Sequence, residues 1–224
     1  MRINKWLVQR GVAPARRKAD ELIIAGRVSI DGVKVKLGDQ VRESSTVLLD
    51  GIEIVGGTRT RRLIAYHKPV GEICSHAHQG QSRTIFDTLP EEYAGFKIIG
   101  RLDKDSQGLI LLTNDGGLAQ QYTHPSQVKA KRYEVTLSRQ LTAAELQRLK
   151  RGVDVAGALW RLPEVTHRQT NDYIVVLHEG KNRQIRRCFA SLGIEVLELK
   201  RTRIAEYSLK DLKPGVWREE RINV

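Results

Sequence analysis

With 224 residues and 40% apolar content, the chain can bury one substantial core and a smaller second one, so it should fold without staples. A formal net charge of +12 and a pI near 9.9 point to a polyanionic partner, although a basic balance alone does not identify a nucleic-acid enzyme. Cys74 and Cys188 lie far apart in no paired spacing, which argues against a disulfide framework and fits a reducing compartment. The N-terminus reads straight into an amphipathic pattern and no apolar run reaches membrane-spanning length, so a cytoplasmic, monomeric protein without membrane contact is expected.

The charge is densest at the start: residues 1–62 hold 13 Lys+Arg against 7 Asp+Glu. Ile3, Trp6, Leu7 and Arg10 predict a short first helix that Gly11 stops. Pro14 is placed to open a second helix at its first position, with Ala19, Leu22 and Ile23 at helical spacing. Val28–Ile30 and Val33–Val35 alternate around Asp31-Gly32, a two-residue turn that demands positive φ, and so predict a hairpin.

The stretch "RINKWLVQRGVAPARRKADELIIAGRVSIDGVKV" resembles the S4 RNA-binding module over roughly residues 1 to 48, with Ala13-Pro14-Ala15 departing from the usual capping serine. The resemblance implies that Arg2, Lys5, Arg16, Arg17, Lys18 and Arg27 face a structured RNA. A basic, solvated helical hairpin without a ligand is the plainer alternative.

"VGGTRTRR", residues 55–62, reads as a linker. It divides the chain into an RNA-binding domain over 1–54 and a second domain over 63–224. There, β-like runs at Leu63 to His67, Ile98-Ile99, Leu109 to Leu112, Tyr133 to Leu137, Tyr173 to Leu177 and Ile194 to Leu199 outnumber the helices. One helix opens on the Thr142/Glu145 capping box and stops at Gly152; another, from about Asn182, carries Ile185, Cys188, Phe189 and Leu192 as an apolar stripe. The fold class expected is α+β: a mixed, largely antiparallel sheet with packed helices, beside a small αα-hairpin/β domain. Nucleotide-cofactor loops are missing from the sequence.

Four segments set polar groups beside apolar runs: "HKPVG" from His67, "GRLD" from Gly100, "KRYEV" from Lys131 and "EGKNRQIRR" from Glu179. In this order they resemble the RsuA family of ribosomal RNA pseudouridine synthases over nearly the whole chain. The most specific piece is "GRLDKDSQGLILLTNDG". The resemblance implies isomerisation of uridine to pseudouridine in ribosomal RNA, free or in an assembly intermediate, with large-subunit 23S RNA favoured over small-subunit 16S RNA and with no cofactor or metal. A non-catalytic S4-type adaptor and a protein that merely coats RNA are the competing readings.

One carboxylate can serve this internal rearrangement as nucleophile or base, and by resemblance it is Asp103. Asp105 reads as a solvated turn acid. Tyr133 shares a strand face with Val135 and Leu137; the resemblance stacks it on the target uracil, whereas spacing alone makes it a core aromatic. The resemblance pairs Arg186 with the catalytic carboxylate, which would favour its ionised form, and sets Ile185 against the base. It assigns Arg101 to the gap left by an everted nucleotide, with a salt bridge as its plainer role. Arg183 and Arg187, four apart, are expected on a shared flank for phosphate. Lys68 is a candidate for a phosphate or for the pocket wall. Cys74, His67, His76 and His78 lack the spacing of a metal site, and the loop from Ser75 to Ser82 reads as an RNA-contacting flap, as does the linker.

Overall fold

A computed structural model describes residues 1–55, 60–124, 126–127 and 129–222. The described residues divide into two compact units, Met1–Arg61 and Arg62–Val224. Residues 56–59, half of the expected linker, lie outside them. Arg62 is not linker: its guanidinium meets Glu92, Glu219 and the Tyr93 hydroxyl inside the second unit.

The first unit has helices α1 (Ile3–Gln9) and α2 (Arg16–Ile24) on a four-stranded sheet of β1 (Val28–Ile30), β2 (Val33–Lys34), β3 (Val47–Leu49) and β4 (Ile52–Glu53), in the order β2-β1-β3-β4. Ile3, Leu7, Ala19, Ile23, Val28 and Val47 form its buried centre. Helix α2 starts two residues later than Pro14 predicts: Ala15 is its extended N-cap and supplies no side-chain cap. Both hairpins turn on Asp-Gly. Asp31 and Gly32 sit at φ 50 and 82, and Asp50 and Gly51 at 52 and 82. These left-handed pairs match the twist of the flanking strands.

The second unit is built on β5 (Leu63–Lys68), β6 (Lys97–Ile99), β7 (Gln107–Thr113), β8 (Lys131–Leu137), β9 (Val153–Val155), β10 (Ala158–Trp160), β11 (Glu164–Gln169), β12 (Asp172–Leu177), β13 (Val196–Ile204), β14 (Tyr207–Ser208) and β15 (Trp217–Glu220). Helices α3 (Gly116–Thr123), α4 (Ala143–Arg151) and α5 (Gln184–Ala190) pack around it. Nine strands share one sheet, with the main path β11-β12-β8-β13-β7-β5-β15, while β9 and β10 form a separate hairpin. The fold is therefore α+β with antiparallel pairing dominant, and among the described strands β7 pairs with β13 in parallel.

Strand β7 is buried on both faces, which explains its unbroken apolar run. Leu109 and Leu111 enter a core with Leu118 and Tyr207, and Ile110 and Leu112 enter another with Tyr93 and Phe96. At its start, Gly108 (φ 118) lies so close to β13 that a Cβ there would stand 2.3 Å from the Arg201 carbonyl oxygen. Glycine is what lets the parallel pair meet. The segment just before it, Gly100–Ser106, ends up where these two strands join.

Candidate active site

The segment from Gly100 to Ser106 has a backbone partner at every residue. The buried Arg201 donates to Gly100 O at 3.2 Å and Arg101 O at 3.3 Å, and through Nε to Leu109 O at 2.8 Å. Leu102 N–H points at Cys74 Sγ at 3.4 Å. Asp103 O accepts from Ser106 N–H at 3.1 Å, and Lys104 O from Gly71 N–H at 2.8 Å. Asp105 O accepts from Arg186 at 2.8 Å, and Ser106 O from Lys68 Nζ at 2.7 Å. Three cations thus hold carbonyls rather than phosphates, and a loop so constrained presents its side chains in one arrangement.

Arg183 is the helix N-cap, in left-handed backbone at φ 52, an unfavourable geometry for a side chain other than glycine. It forms a two-pronged pair with Asp105 at 3.1 and 2.8 Å and stands 3.5 Å from Asp103 Oδ2. The Arg183 guanidinium is the main reason the Asp105 carboxyl lies below the usual carboxylate range, against the desolvation that would raise it.

A cleft of about 670 Å³ opens beside this loop; Asp103, Tyr133, Ile185, Arg183, Leu102 and Arg101 are among its lining residues. Asp103 keeps 37% of its side chain exposed, whereas Tyr133 and Ile185 are buried at 8% and 3%. Tyr133 and Ile185 give the cleft an apolar wall near the partly exposed Asp103, which suits a planar, weakly polar ring.

Several expectations need correction. Arg186 does not pair with Asp103: its guanidinium binds Val196 O at 2.6 Å and Asp105 O, with Nε 3.3 Å from Asp105 Oδ2. Helix α5 begins at Gln184, not near Asn182, and this places Arg183 rather than Arg186 toward the cleft acid. Arg183 and Arg187 share no flank, since Arg187 lies over the Trp160 ring at 5.8 Å. Lys68 is fully buried, with its amine on the carbonyls of Pro69 and Ser106, so it cannot meet a phosphate. Burial pulls its pKa down, opposed by Cys74, Glu72, Asp105 and Asp103. Asp105 is no free turn acid.

Arg101 is exposed at the cleft. Of the histidines, His76 stacks on Phe86 at 4.1 Å and His78 faces Asp87 at 3.3 Å, while His67 is buried with Nδ1 2.7 Å from Leu212 O. Burial raises the Cys74 thiol pKa, leaving it a protonated neighbour of the loop rather than a nucleophile. Ser75 and Gln79 of the supposed flap line the cleft. In the first unit, Lys18 pairs with Glu21 at 2.8 Å and Arg27 with Asp50 at 2.5 Å, both in solvent. Arg2, Arg16 and Arg17 are exposed and Lys5 is partly so.

Sequence reading missed Arg201. Its signal was faint: with Leu199 it takes inward positions of β13, where an arginine must find partners for all its donors.

Comparison with known proteins gives this arrangement a family. A family model described as RNA pseudouridylate synthase matches residues 62–191, and the S4 domain model matches residues 1–47. The chain belongs to the RNA pseudouridylate synthase family. It is 34% identical to "Ribosomal large subunit pseudouridine synthase B" of Vibrio cholerae, over 97% of this chain and 71% of that protein. It is 35% identical to "Dual-specificity RNA pseudouridine synthase RluF" of Escherichia coli, over 98% and 75%. A solved structure, "Crystal structure of pseudouridylate synthase", superposes with a TM-score of 0.69 at 26% identity, covering 99% of this chain and 96% of that one. Asp103, Tyr133 and Ile185 line one cleft within the second unit.

Proposed function

We propose that this chain isomerises uridine to pseudouridine in ribosomal RNA of the large subunit, with Asp103 as the single reacting carboxylate. The family match and the named relatives support the reaction class, and the large-subunit name of the Vibrio relative supports the choice of RNA. The observation that carries the site assignment is the loop itself: its backbone is fixed at each residue, and Asp103 stands at a cleft walled by Tyr133 and Ile185. In the reaction the bond from ribose C1′ to N1 breaks and one from C1′ to C5 forms. The C5 proton leaves and N1 gains one, so nothing is oxidised and no group is added.

In this reading an everted uridine enters the cleft, its ring against Tyr133 and Ile185, with Asp103 at the sugar and base as nucleophile or base. Arg183 balances the charge of both acids, and Arg186 is a positioning residue that acts through Asp105 and the loop. Arg101 meets the RNA at the cleft mouth. The first unit docks the RNA through Arg2, Lys5, Arg16, Arg17, Lys18 and Arg27, and the protein works as a monomer in the cytoplasm. Among the described residues no helix is long and apolar enough to cross a membrane.

The test is tritium release from RNA labelled at uridine C5. Asp103→Asn should lose at least about a thousandfold in rate while RNA affinity changes far less. Release that survives the substitution removes Asp103 from the mechanism, and no release by the unaltered protein from authentic ribosomal RNA leaves only an RNA-binding adaptor.

A further inference from the structure

The acids that line the cleft among the described residues are Asp103 and Glu179, and both are engaged. Asp103 faces Arg183, and Glu179 is held by Lys181 at 3.3 Å and by the Gln184 amide at 2.5 Å. Lys131 also lines the cleft, at the start of β8 and on the same strand face as Tyr133 two residues later. Its ammonium rests on the Lys129 carbonyl at 3.3 Å, a weak arrangement for a charge. The neighbouring strand sets Arg201, a second cation, opposite Tyr133 in register. Burial and Arg201 both push the Lys131 pKa down, and no carboxylate is among the causes acting on it. A partly buried cation beside another cation, with no acid of the protein to meet it, is costly unless an anion arrives with the ligand.

We propose that Lys131 is a phosphate subsite, taking a phosphodiester of the RNA strand adjacent to the everted nucleotide. This rests on the pseudouridine synthase reading. Uracil and ribose bring no charge, so the anions that enter the cleft with the target are the phosphates that join it to its neighbours. A lysine suits this task because its point charge can follow a backbone oxygen without fixed geometry. Tyr133 and Lys131 then divide the nucleotide between them, ring against ring and ammonium against backbone. Arg201 is nearly inaccessible and occupied by carbonyls, so it shapes the subsite without touching the RNA.

The experiment uses full-length protein and a 23S ribosomal RNA transcript labelled at uridine C5. Binding is followed by filter retention from 50 to 300 mM KCl, and tritium release by steady-state kinetics, for the unaltered protein, Lys131→Met, Lys131→Gln and Lys131→Arg. The slope of log K against log salt should fall by roughly 0.7 to 0.9 in the Met and Gln variants, one phosphate's worth. Their kcat/KM should drop roughly tenfold, carried mainly by KM, with the Arg variant recovering most of both. The proposal is overturned if cooperatively melting Met and Gln variants keep the original slope, if Arg is as impaired as Met, or if neither neutral variant folds. Absence of tritium release by the unaltered protein would sink the synthase reading while leaving the slope comparison intact as a test of the phosphate contact.

Discussion

Asp105 engages two arginines beside Asp103, the acid proposed to react. Its carboxylate fixes Arg183 in a two-pronged pair and its carbonyl holds Arg186, so the residue ties α5 to the loop that presents Asp103. Because the folded protein depresses the Asp105 pKa, the pair's stabilisation is present in full above the unfolded value near pH 4 and is lost as pH falls through the lower folded value. Asp105→Asn should therefore lower the melting temperature at pH 6 by at most about 3 °C, since the pair is partly solvated, and the gap should close toward pH 2. Thermal melts of both proteins from pH 2 to 6 check this. A gap that stays constant with pH would mean that geometry, not ionisation, is what Asp105 contributes. Activity should suffer more than stability, because Arg183 sits in strained left-handed backbone that its partner helps maintain.

At the level of elements, the join between β7 and β13 positions the site, and it depends on a residue without a side chain. Gly108→Ala would put a methyl group inside the Arg201 backbone, with atoms at 2.3, 2.5 and 2.9 Å, at a φ of 118. The strands must separate, Arg201 must release the Gly100 and Arg101 carbonyls, and the variant should lose more than about 3 kcal/mol. Urea denaturation is the measurement, and a variant within about 1 kcal/mol of the original would show that the strands adjust freely. Sequence patterning found β5, β7, β8, β12, the capping box of α4 and the first Asp-Gly hairpin because each carries a local signal: an apolar run in β5 and β7, alternation in β8 and β12, a capping pair, or a turn that needs positive φ. It missed α3, whose only mark is the Asp115 cap that accepts from Gly117 and Leu118 N–H. It cut β13 short because Lys200, Arg201 and Arg203 read as a polar break. The site divided in the same way. Asp103, Tyr133 and Ile185 were singled out by family resemblance, and they line one cleft, whereas the contacts of Arg183, Arg186, Lys68 and Arg201 depend on which carboxylates and carbonyls long-range pairing brings to them, and no local pattern records that.

Across the whole chain, the excess of positive charge splits between two tasks. In the second unit the buried or partly buried cations Lys68, Arg186, Arg201 and Arg218 are occupied by backbone carbonyls, so they add to the net charge while offering little to a ligand. In the first unit Arg16 and Arg17 are exposed at the start of α2 and have no ion-pair partner among the described residues. Counterion release should therefore come disproportionately from the smaller unit. Replacing both arginines by glutamate takes the formal charge from +12 to about +8, a change of two units at each position, and also places acids in the first turn of α2, where they favour the helix. The fold should hold and RNA affinity should not. With two phosphates no longer neutralised, the salt slope for a 23S transcript should fall by roughly 1.4 to 1.8, and the deficit in turnover should sit in KM, because Asp103, the proposed reacting group, belongs to the second unit. Filter binding across a KCl series gives the slope, and tritium release on the same RNA divides KM from kcat. An unchanged slope would move RNA docking off this helix, and a deficit confined to kcat would mean that the first unit acts on the chemical step rather than on capture.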